Sequence, residues 1–216
     1  MRENVRPSVA GAGPLQRLST WSPRVPYGVA PQQIRTTRSR PVYHNPWMSV
    51  REDDVVFADG TPGIYGVVDK PDYALIVPFA DGGFHLVEQY RYPVGGRFWE
   101  FPQGSWSPGH DGDPVALAAA ELSEETGLRA ASLTHLGRLH VAYGYANQTC
   151  HVVLAERLAA GETRREATES DMRQRWVSRS EWLDLVRAGA VSDSASIAAY
   201  ALFCLHESAA ATLDPW

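Results

Sequence analysis

Short apolar runs recur along the chain from about residue 41 and predict a series of β-strands. The first two runs, VREDDVVF and GIYGVVD, are separated by the turn sequence ADGTPG. The next two, YALIVPF and FHLVEQYRY, are joined by ADGG, which predicts a β-hairpin. Further runs of the same kind predict additional strands at RFWEFP, RLHVAY, TCHVVLAE and RQRWVS.

Three segments have the composition of helices. The first follows a loop rich in Gly, Pro and Asp at 104–113: Asp113 suits the N-cap, Pro114 suits the first helical position, and Gly127 is placed to end the helix. The residues between are strong helix formers. The other two predicted helices are SEWLDLVRAG and SDSASIAAYALFCLHESAA. Strands before and after helices predict an α/β or α+β sandwich and argue against a helical bundle.

The beginning of the chain has a different composition. Residues 1–40 are rich in Pro, Arg, Ser and Gly without helical or strand periodicity, and we interpret them as a disordered basic leader. An organelle-targeting peptide is the alternative, but three prolines between 14 and 26 interrupt any amphipathic helix. We expect a β segment at 41–68, the main domain at 69–208 and a C-terminal tail at 209–216.

Composition and charge narrow the choice of partners and compartment. With 216 residues, 44% of them hydrophobic, the chain can bury one substantial core. Residues 46–216 contain thirteen basic and twenty-four acidic residues, a net charge of −11, which disfavours general nucleic-acid binding. No apolar run is long enough to predict a membrane span. Cys150 and Cys204 form no disulfide framework, so we expect a reducing, cytoplasmic setting. Lys70 is the only lysine beside nineteen arginines, a bias that we attribute to a GC-rich genome.

The segment LAAAELSEETGL (117–128) gathers three carboxylates in the last turn of the first predicted helix. Glu121 and Glu125 share a helix face, and Glu124 lies beside them. Two such charges about 4 Å apart repel by about 4 kcal/mol at an effective dielectric constant near 20, and the helix C-terminus adds to the repulsion. A solvated helix face is the bland interpretation. A hard divalent cation, Mg²⁺ or Mn²⁺, would convert the repulsion into affinity. The seven histidines have no ligand spacing and predict no zinc site.

The setting of these glutamates resembles a known family. GSWSPGHDGDPVALAAAELSEETGL is similar to the signature of the Nudix hydrolases, G-x5-E-x7-R-E-U-x-E-E-x-G-U, where U is aliphatic. WEFPQG (99–104) resembles the strand that leads into this box in the ADP-ribose and nucleotide-sugar branch, and the resemblance extends from about Tyr43 to Leu205. Two positions depart from the pattern. Ala120 stands where the family has arginine, and Gly112, flanked by Asp111 and Asp113, stands where it has the earlier glutamate. Either aspartate could substitute, but Asp113 is equally explained as the helix cap.

The resemblance implies a fold and an activity. The fold would be a Nudix-type α/β/α sandwich with a mixed sheet, preceded by a short β segment that pairs across a homodimer. The activity would be Mg²⁺- or Mn²⁺-dependent hydrolysis of the pyrophosphate bond of ADP-ribose or another nucleotide sugar, such as GDP-mannose. The proline that commonly marks the ADP-ribose group is missing from HVAYGYANQ (140–148), which suggests an altered pocket. Because of the two departures, a domain that binds a nucleotide sugar as a sensor without hydrolysing it is the alternative.

The resemblance also implies roles for individual residues. The metal ligands would be the Gln103 carbonyl, Glu121 and Glu125, with Glu124 completing or supporting the shell. The general base would come from the late loop GETRREATESD (161–171), where Glu169 is favoured and Glu166 is second. The expected substrate contacts are Arg91 on phosphate or ribose, Glu100 on ribose unless it is only a buried partner of Arg97 or Arg91, and Tyr145, with Tyr143 and Trp106, against a base.

Overall fold

An antiparallel sheet of three strands forms the beginning of the described chain. The structure is a computed structural model that describes residues 33–107, 109–110, 112–163 and 171–213. The strands are β1 (Ile34–His44), β2 (Ser49–Phe57) and β3 (Pro62–Asp69), with β2 in the centre. Every residue of β1 is exposed. This strand corrects the expected leader boundary, because residues 34–40 pair with β2 although they show no apolar alternation. Residues 1–32 lie outside the described ranges.

The main sheet has seven strands. Its central path runs β10-β5-β4-β9-β8, while β6 pairs with β5 and β7 pairs with β4. The β4–β9 pair is parallel and the other pairs are antiparallel, so the sheet is mixed as expected. The strands are β4 (Tyr73–Ala80), β5 (Gly83–Arg91), β6 (Gly96–Glu100), β7 (Gln103–Ser105), β8 (Leu128–His140), β9 (Thr149–Ala160) and β10 (Arg173–Ser178).

Helices cover both faces of this sheet. The helices are α1 (Pro114–Glu121), α2 (Arg179–Arg187) and α3 (Ser194–Leu213). The central strand β4 has apolar residues on both faces: Leu75 and Val77 belong to the core cluster that includes α2 and α3, and Ala74 and Ile76 belong to the cluster beneath α1. A strand buried on both sides reads as the continuous apolar run YALIVPF rather than as an alternation. The architecture is therefore the expected α/β/α sandwich.

The first helix begins as its sequence predicts and ends differently. Asp113 Oδ1 accepts a hydrogen bond from the Val115 N–H at 3.0 Å, so this aspartate is the helix cap. After Glu121 the chain continues as a π-helical turn, Leu122–Thr126, and stops at Gly127, whose φ is +71°. The prediction of an uninterrupted α-helix to residue 126 was wrong at this turn. Single π turns are frequent at functional sites, where the extra residue redirects side chains.

Other strand and helix boundaries differ from the predicted ones, because they depend on pairing and packing between residues that are far apart in the chain. The strand β8 begins immediately after Gly127, ten residues before the run RLHVAY, since it pairs along its length with β9. The helix α3 continues to Leu213, into the segment expected to be a tail. In the described part of the chain, no helix has both the length and the apolar character needed to cross a membrane.

Candidate active site

Two of the three box glutamates converge on the short strand β7. The π-helical turn carries Glu125 into the interior, where it is 1% exposed, and its Oε2 accepts a hydrogen bond from the Gln103 N–H at 3.3 Å. Glu121, at the end of α1, lies against Gly104: a Cβ added at residue 104 would stand 2.0 Å from the Glu121 carboxyl carbon. Only a glycine leaves room for this carboxylate beside the strand. The Gln103–Gly104 backbone, Glu121 and Glu125 therefore form one group.

The structure does not add the third glutamate, Glu124, or the two candidate bases to this group. Glu124 is half-buried on the π-helical turn. Within the described ranges, no three His, Cys, Asp or Glu side chains come together as a metal-binding group, so Glu124 does not complete one with Glu121 and Glu125. Glu166 and Glu169 lie outside the described residues.

A buried ion pair borders the glutamate group. Glu100 is 2% exposed; it accepts hydrogen bonds from Arg91 Nε at 3.1 Å, from Arg91 Nη2 and from Gln89 Nε2 at 2.8 Å. Arg97 instead pairs with Glu88 and Asp171, which decides between the two partners left open for Glu100. Burial raises the pKa of Glu100, and Arg91 offsets part of that rise. Burial by itself would lower the pKa of Arg91, but the Glu100 carboxylate raises it above its ordinary value.

The ion pair and the Gln103–Gly104 backbone border one cavity of about 540 Å³. Arg91, Glu100, Gln103 and Gly104 line it together with residues from three other parts of the chain. The additional lining includes Lys70, Tyr73, Phe98, Ser105, Gln148 and Asp193. A cavity of this size suits a small organic ligand, and its polar groups suit a polar one.

The three aromatic residues expected to contact a base are not among the described residues that line this cavity. Tyr145 is exposed on the loop between β8 and β9, and its carbonyl accepts the Val68 N–H at 2.7 Å. Neither Tyr145 nor Tyr143 is among the described residues that line the cavity. Trp106 packs edge-on against His151, with the ring centroids 5.9 Å apart.

A hydrogen-bonded connection between α3 and β6–β7 was missed by sequence reasoning. Ser196 is fully buried; its Oγ donates to Asp193 Oδ2 at 2.7 Å and accepts the Phe101 N–H at 3.1 Å. Asp193 Oδ2 also accepts the Ser196 N–H at 2.8 Å. The segment that leads to Gln103 is thereby held against the start of α3. The segment SDSAS contains an aspartate that can cap a helix, which is visible in the sequence. The hydrogen bond between Ser196 and the Phe101 N–H, 95 residues away, is not.

The donor set fits a hard divalent cation. Two carboxylates lie against the adjacent residues Gln103 and Gly104, and carboxylate and carbonyl oxygens are the ligands that Mg²⁺ and Mn²⁺ prefer. The close approach of Glu121 to Gly104 brings an anionic oxygen next to a backbone without a side chain between them. Gln103, Gly104 and Arg91 line the same cavity, so a cation held at Gln103 would lie near an anionic ligand in that cavity.

Fold and site together define the class of this protein. Residues 69–200 match the family model described as NUDIX domain, and residues 34–68 match the model described as nucleoside diphosphate sugar hydrolase N-terminal domain. The chain therefore belongs to the Nudix family and is a Nudix pyrophosphohydrolase.

Individual relatives agree with this assignment. The chain is 31% identical over 173 residues to the ADP-ribose pyrophosphatase of Mycobacterium tuberculosis (strain ATCC 25618 / H37Rv), covering 79% of this chain and 83% of the relative. It is 28% identical over 170 residues to the ADP-ribose pyrophosphatase of Bacillus subtilis (strain 168), covering 78% and 90%. A crystal structure titled as an ADP compounds hydrolase superimposes with a TM-score of 0.72 at 22% identity, covering 85% of this chain and 97% of that one, which supports the fold.

Proposed function

We propose that this protein hydrolyses the pyrophosphate bond of a nucleotide sugar, with ADP-ribose as the first candidate, in a reaction that depends on Mg²⁺ or Mn²⁺. The observation that carries the proposal is the position of Glu121 and Glu125 against the Gln103–Gly104 backbone, which lines the same cavity as Arg91. The two ADP-ribose pyrophosphatases to which the chain is similar support the choice of substrate class.

Gln103, Glu121 and Glu125 would hold the metal, the first through its backbone carbonyl. A bound dication neutralises phosphate oxygens and lowers the pKa of a coordinated water. Glu124, at the edge of the same turn, would support the group. The buried position of Glu125 and its hydrogen bond from the Gln103 N–H fix the orientation of this carboxylate in advance. A preorganised carboxylate needs no rearrangement when the charge of the reacting group changes.

Arg91 would orient the diphosphate. Its guanidinium is held in place by two hydrogen bonds to Glu100, and its remaining N–H groups are available to phosphate oxygens. Glu100 acts through Arg91, because a carboxylate that is 2% exposed contributes chiefly by positioning its partner. The water needs a general base within hydrogen-bond reach. Glu169, with Glu166 second, remains our proposal for that base, since both belong to the segment 161–171 that precedes β10 in the sequence.

A substrate panel tests the proposal. The purified chain is incubated with ADP-ribose, GDP-mannose and other nucleotide sugars, with Mg²⁺, with Mn²⁺ or with a chelator, and the released nucleoside monophosphate is measured. We expect metal-dependent release from at least one nucleotide sugar. Glu125→Gln should abolish it, whereas Asp184→Asn, a change on the exposed face of α2, should not. Tight binding of a nucleotide sugar without turnover would contradict hydrolysis and support a sensor.

The N-terminal sheet gives a proposal for assembly. All of β1 is exposed, and Val42, Tyr43, Trp47 and Ile64 add large apolar side chains to the exposed surface of this region. We propose that the sheet β1–β3 pairs with a second copy of the chain to form a homodimer. Among the described strands, β1 pairs only with β2, and proteins usually cover a long edge strand with exposed apolar residues. A sedimentation equilibrium mass of one protomer at micromolar concentration would contradict this. We also propose a cytoplasmic location, consistent with the free thiols of Cys150 and Cys204.

A further inference from the structure

Lys70, the only lysine of the chain, lies at the junction of two cavities. It follows β3 directly and lines the 540 Å³ cavity together with Arg91 and Gln103. It also lines an adjoining cavity of about 240 Å³. The second cavity lies between the β1–β2 connection and the residues before α1, and its lining includes His44, Trp47, Met48, Asp69, Gly109 and His110.

The backbone that carries Lys70 is fixed by the loop between β8 and β9. The Lys70 N–H donates to Asn147 Oδ1 at 3.3 Å, and the Asn147 N–H donates to the Val68 carbonyl at 3.2 Å. The Val68 N–H in turn donates to the Tyr145 carbonyl at 2.7 Å. The side chain of Lys70 thus starts from an anchored position next to the cavity.

The ammonium group of Lys70 forms no ion pair with any residue in the described ranges, although carboxylates are close to it in the chain. Asp69 accepts hydrogen bonds from Arg51 Nη1 at 2.5 Å and from Asn147 Nδ2 at 2.6 Å. Asp72 accepts the Thr149 N–H at 2.7 Å. The neighbouring acids are therefore engaged by other donors, and the charge of Lys70 is directed neither to Asp69 nor to Asp72.

Arg91, a second cationic residue that lines the cavity, already forms an ion pair with Glu100. Arg91 donates two hydrogen bonds to the buried Glu100, so part of its charge is compensated within the protein. Asp193, which also lines the cavity, is engaged as the cap of α3 by Ser196. A dianionic ligand that enters the cavity would meet a net acidic wall unless another positive charge lies near it. Lys70 is placed to supply that charge, and an ammonium group is a good point-charge partner for phosphate.

We propose that Lys70 binds a phosphate group of the substrate at the junction of the two cavities and makes the enzyme selective for phosphate-bearing ligands. The proposal rests on the proposed function, since it assigns a contact to the same substrate. The phosphate at Lys70 would join the part of the ligand in the larger cavity to the part in the smaller one. Lys70 is then a specificity-determining residue of the reaction, outside the metal-binding group.

Because the chain has a single lysine, its occupancy can be measured directly. The protein is treated with a limiting amount of an N-hydroxysuccinimide acetate reagent in the presence of a metal chelator, and acetylation of Lys70 is followed by peptide mass spectrometry. The α-amino group serves as an internal reference. ADP should slow the labelling of Lys70 by about fivefold or more at saturation, and adenosine at the same concentration should not.

This design separates the two proposals. The chelator stops turnover, so protection of Lys70 by ADP does not depend on activity. ADP that binds, as measured by equilibrium dialysis in the same samples, without protecting Lys70 would overturn the assignment of Lys70 and leave the proposed function intact. No binding of ADP at millimolar concentration would overturn the assignment of Lys70, which lies outside the metal-binding group, and would leave the metal-dependent hydrolysis intact. Turnover that is absent in the substrate panel together with protection of Lys70 would contradict only the hydrolysis.

Kinetics of matched variants give the second measurement. With ADP-ribose or the best substrate of the panel, Lys70→Gln should raise KM by about tenfold or more, because a charged hydrogen bond to the ligand is lost. It should change kcat much less, and Lys70→Arg should recover most of the affinity. Arg187→Gln, which removes an exposed cation on α2, should leave KM unchanged. Equal defects in Lys70→Gln and Lys70→Arg, or an unchanged KM in Lys70→Gln, would overturn the proposal.

Discussion

Replacing Gly104 by alanine tests whether the close contact between β7 and α1 serves the metal-binding group. The added Cβ would stand 2.0 Å from the carboxyl carbon of Glu121 and 2.1 Å from its Oε1. An ordinary contact begins at 3.4 Å, so the carboxylate must retreat by about 1.4 Å, the difference between 3.4 and 2.0 Å. The Cβ meets the far end of a side chain rather than backbone, which means that the fold can absorb the change by moving Glu121 alone.

The expected loss of activity follows from that displacement. Metal sites keep their ligand distances within about 0.2 Å, and a misplacement of about 1 Å in an active site can cost roughly 100-fold in rate. We therefore expect kcat/KM of Gly104→Ala to fall by about 100-fold or more, equivalent to about 2.7 kcal/mol of transition-state stabilisation. The free energy of unfolding should change by less than about 1 kcal/mol, because no backbone strain is introduced.

The assay compares Gly104→Ala with Gly66→Ala, a strand glycine whose added Cβ would meet nothing within 4 Å. Metal-dependent kcat/KM and urea unfolding are measured for both. In a Glu121→Gln background, Gly104→Ala should have little further effect, since the two changes act on the same carboxylate. Activity of Gly104→Ala within threefold of wild type, or an effect that adds fully to that of Glu121→Gln, would refute the reasoning.

Two further predictions concern stability. Ser196→Ala removes the acceptor of the buried Phe101 N–H and should lower the free energy of unfolding by about 1–3 kcal/mol. Ser178→Ala removes only the cap of α2 and should lower it less, by about 1 kcal/mol. Equal losses of the two variants in urea unfolding would contradict this. Burial lowers the pKa values of His135 and His151, whose rings are in contact. As the pH falls below about 6.5, the unfolded chain therefore binds more protons at these two histidines than the folded chain does. The free energy of unfolding should decrease in that pH range. Replacing both histidines by glutamine should flatten the dependence of the melting temperature on pH between 7.5 and 5.5, as followed by circular dichroism, and an unchanged slope would contradict this assignment.

Local signals in the sequence were sufficient for the start of the first helix and for the family. Asp113 and Pro114 start α1, and Gly127 ends the segment, because caps and left-handed turns depend on a few neighbouring residues. The box glutamates and WEFPQG indicated the family without any knowledge of packing. The apolar runs predicted strands and an α/β or α+β sandwich, and the resemblance to the family implied the mixed sheet that the structure has.

Features that depend on distant contacts were not predictable in this way. The exposed strand β1 has no buried face and therefore no apolar alternation; its pairing with β2 is what makes it a strand. The π-helical turn after Glu121 was not visible in the helix propensities, and it changes the arrangement of the three glutamates from that of an ideal α-helix. The partner of Glu100 could not be chosen from the sequence, since Arg91 and Arg97 lie nearly equally close in the chain.

The proposal for Lys70 could not have come from composition. A single lysine among nineteen arginines is well explained by base composition, and that explanation says nothing about where the one lysine lies. Its position became informative only when two cavities and the engagement of Asp69 by other donors were known. Charge counts along a chain do not show which charges are compensated in the fold.

The most direct test of the central claim is the location of a divalent cation in crystals of the protein grown with Mn²⁺. Anomalous scattering identifies the manganese position independently of any assumption about its ligands. The account predicts a peak bounded by the carboxylates of Glu121 and Glu125 and the backbone of Gln103, and no peak there in crystals of Glu125→Gln. A wild-type crystal saturated with Mn²⁺ that shows no peak at these residues would contradict the proposed metal-dependent hydrolysis.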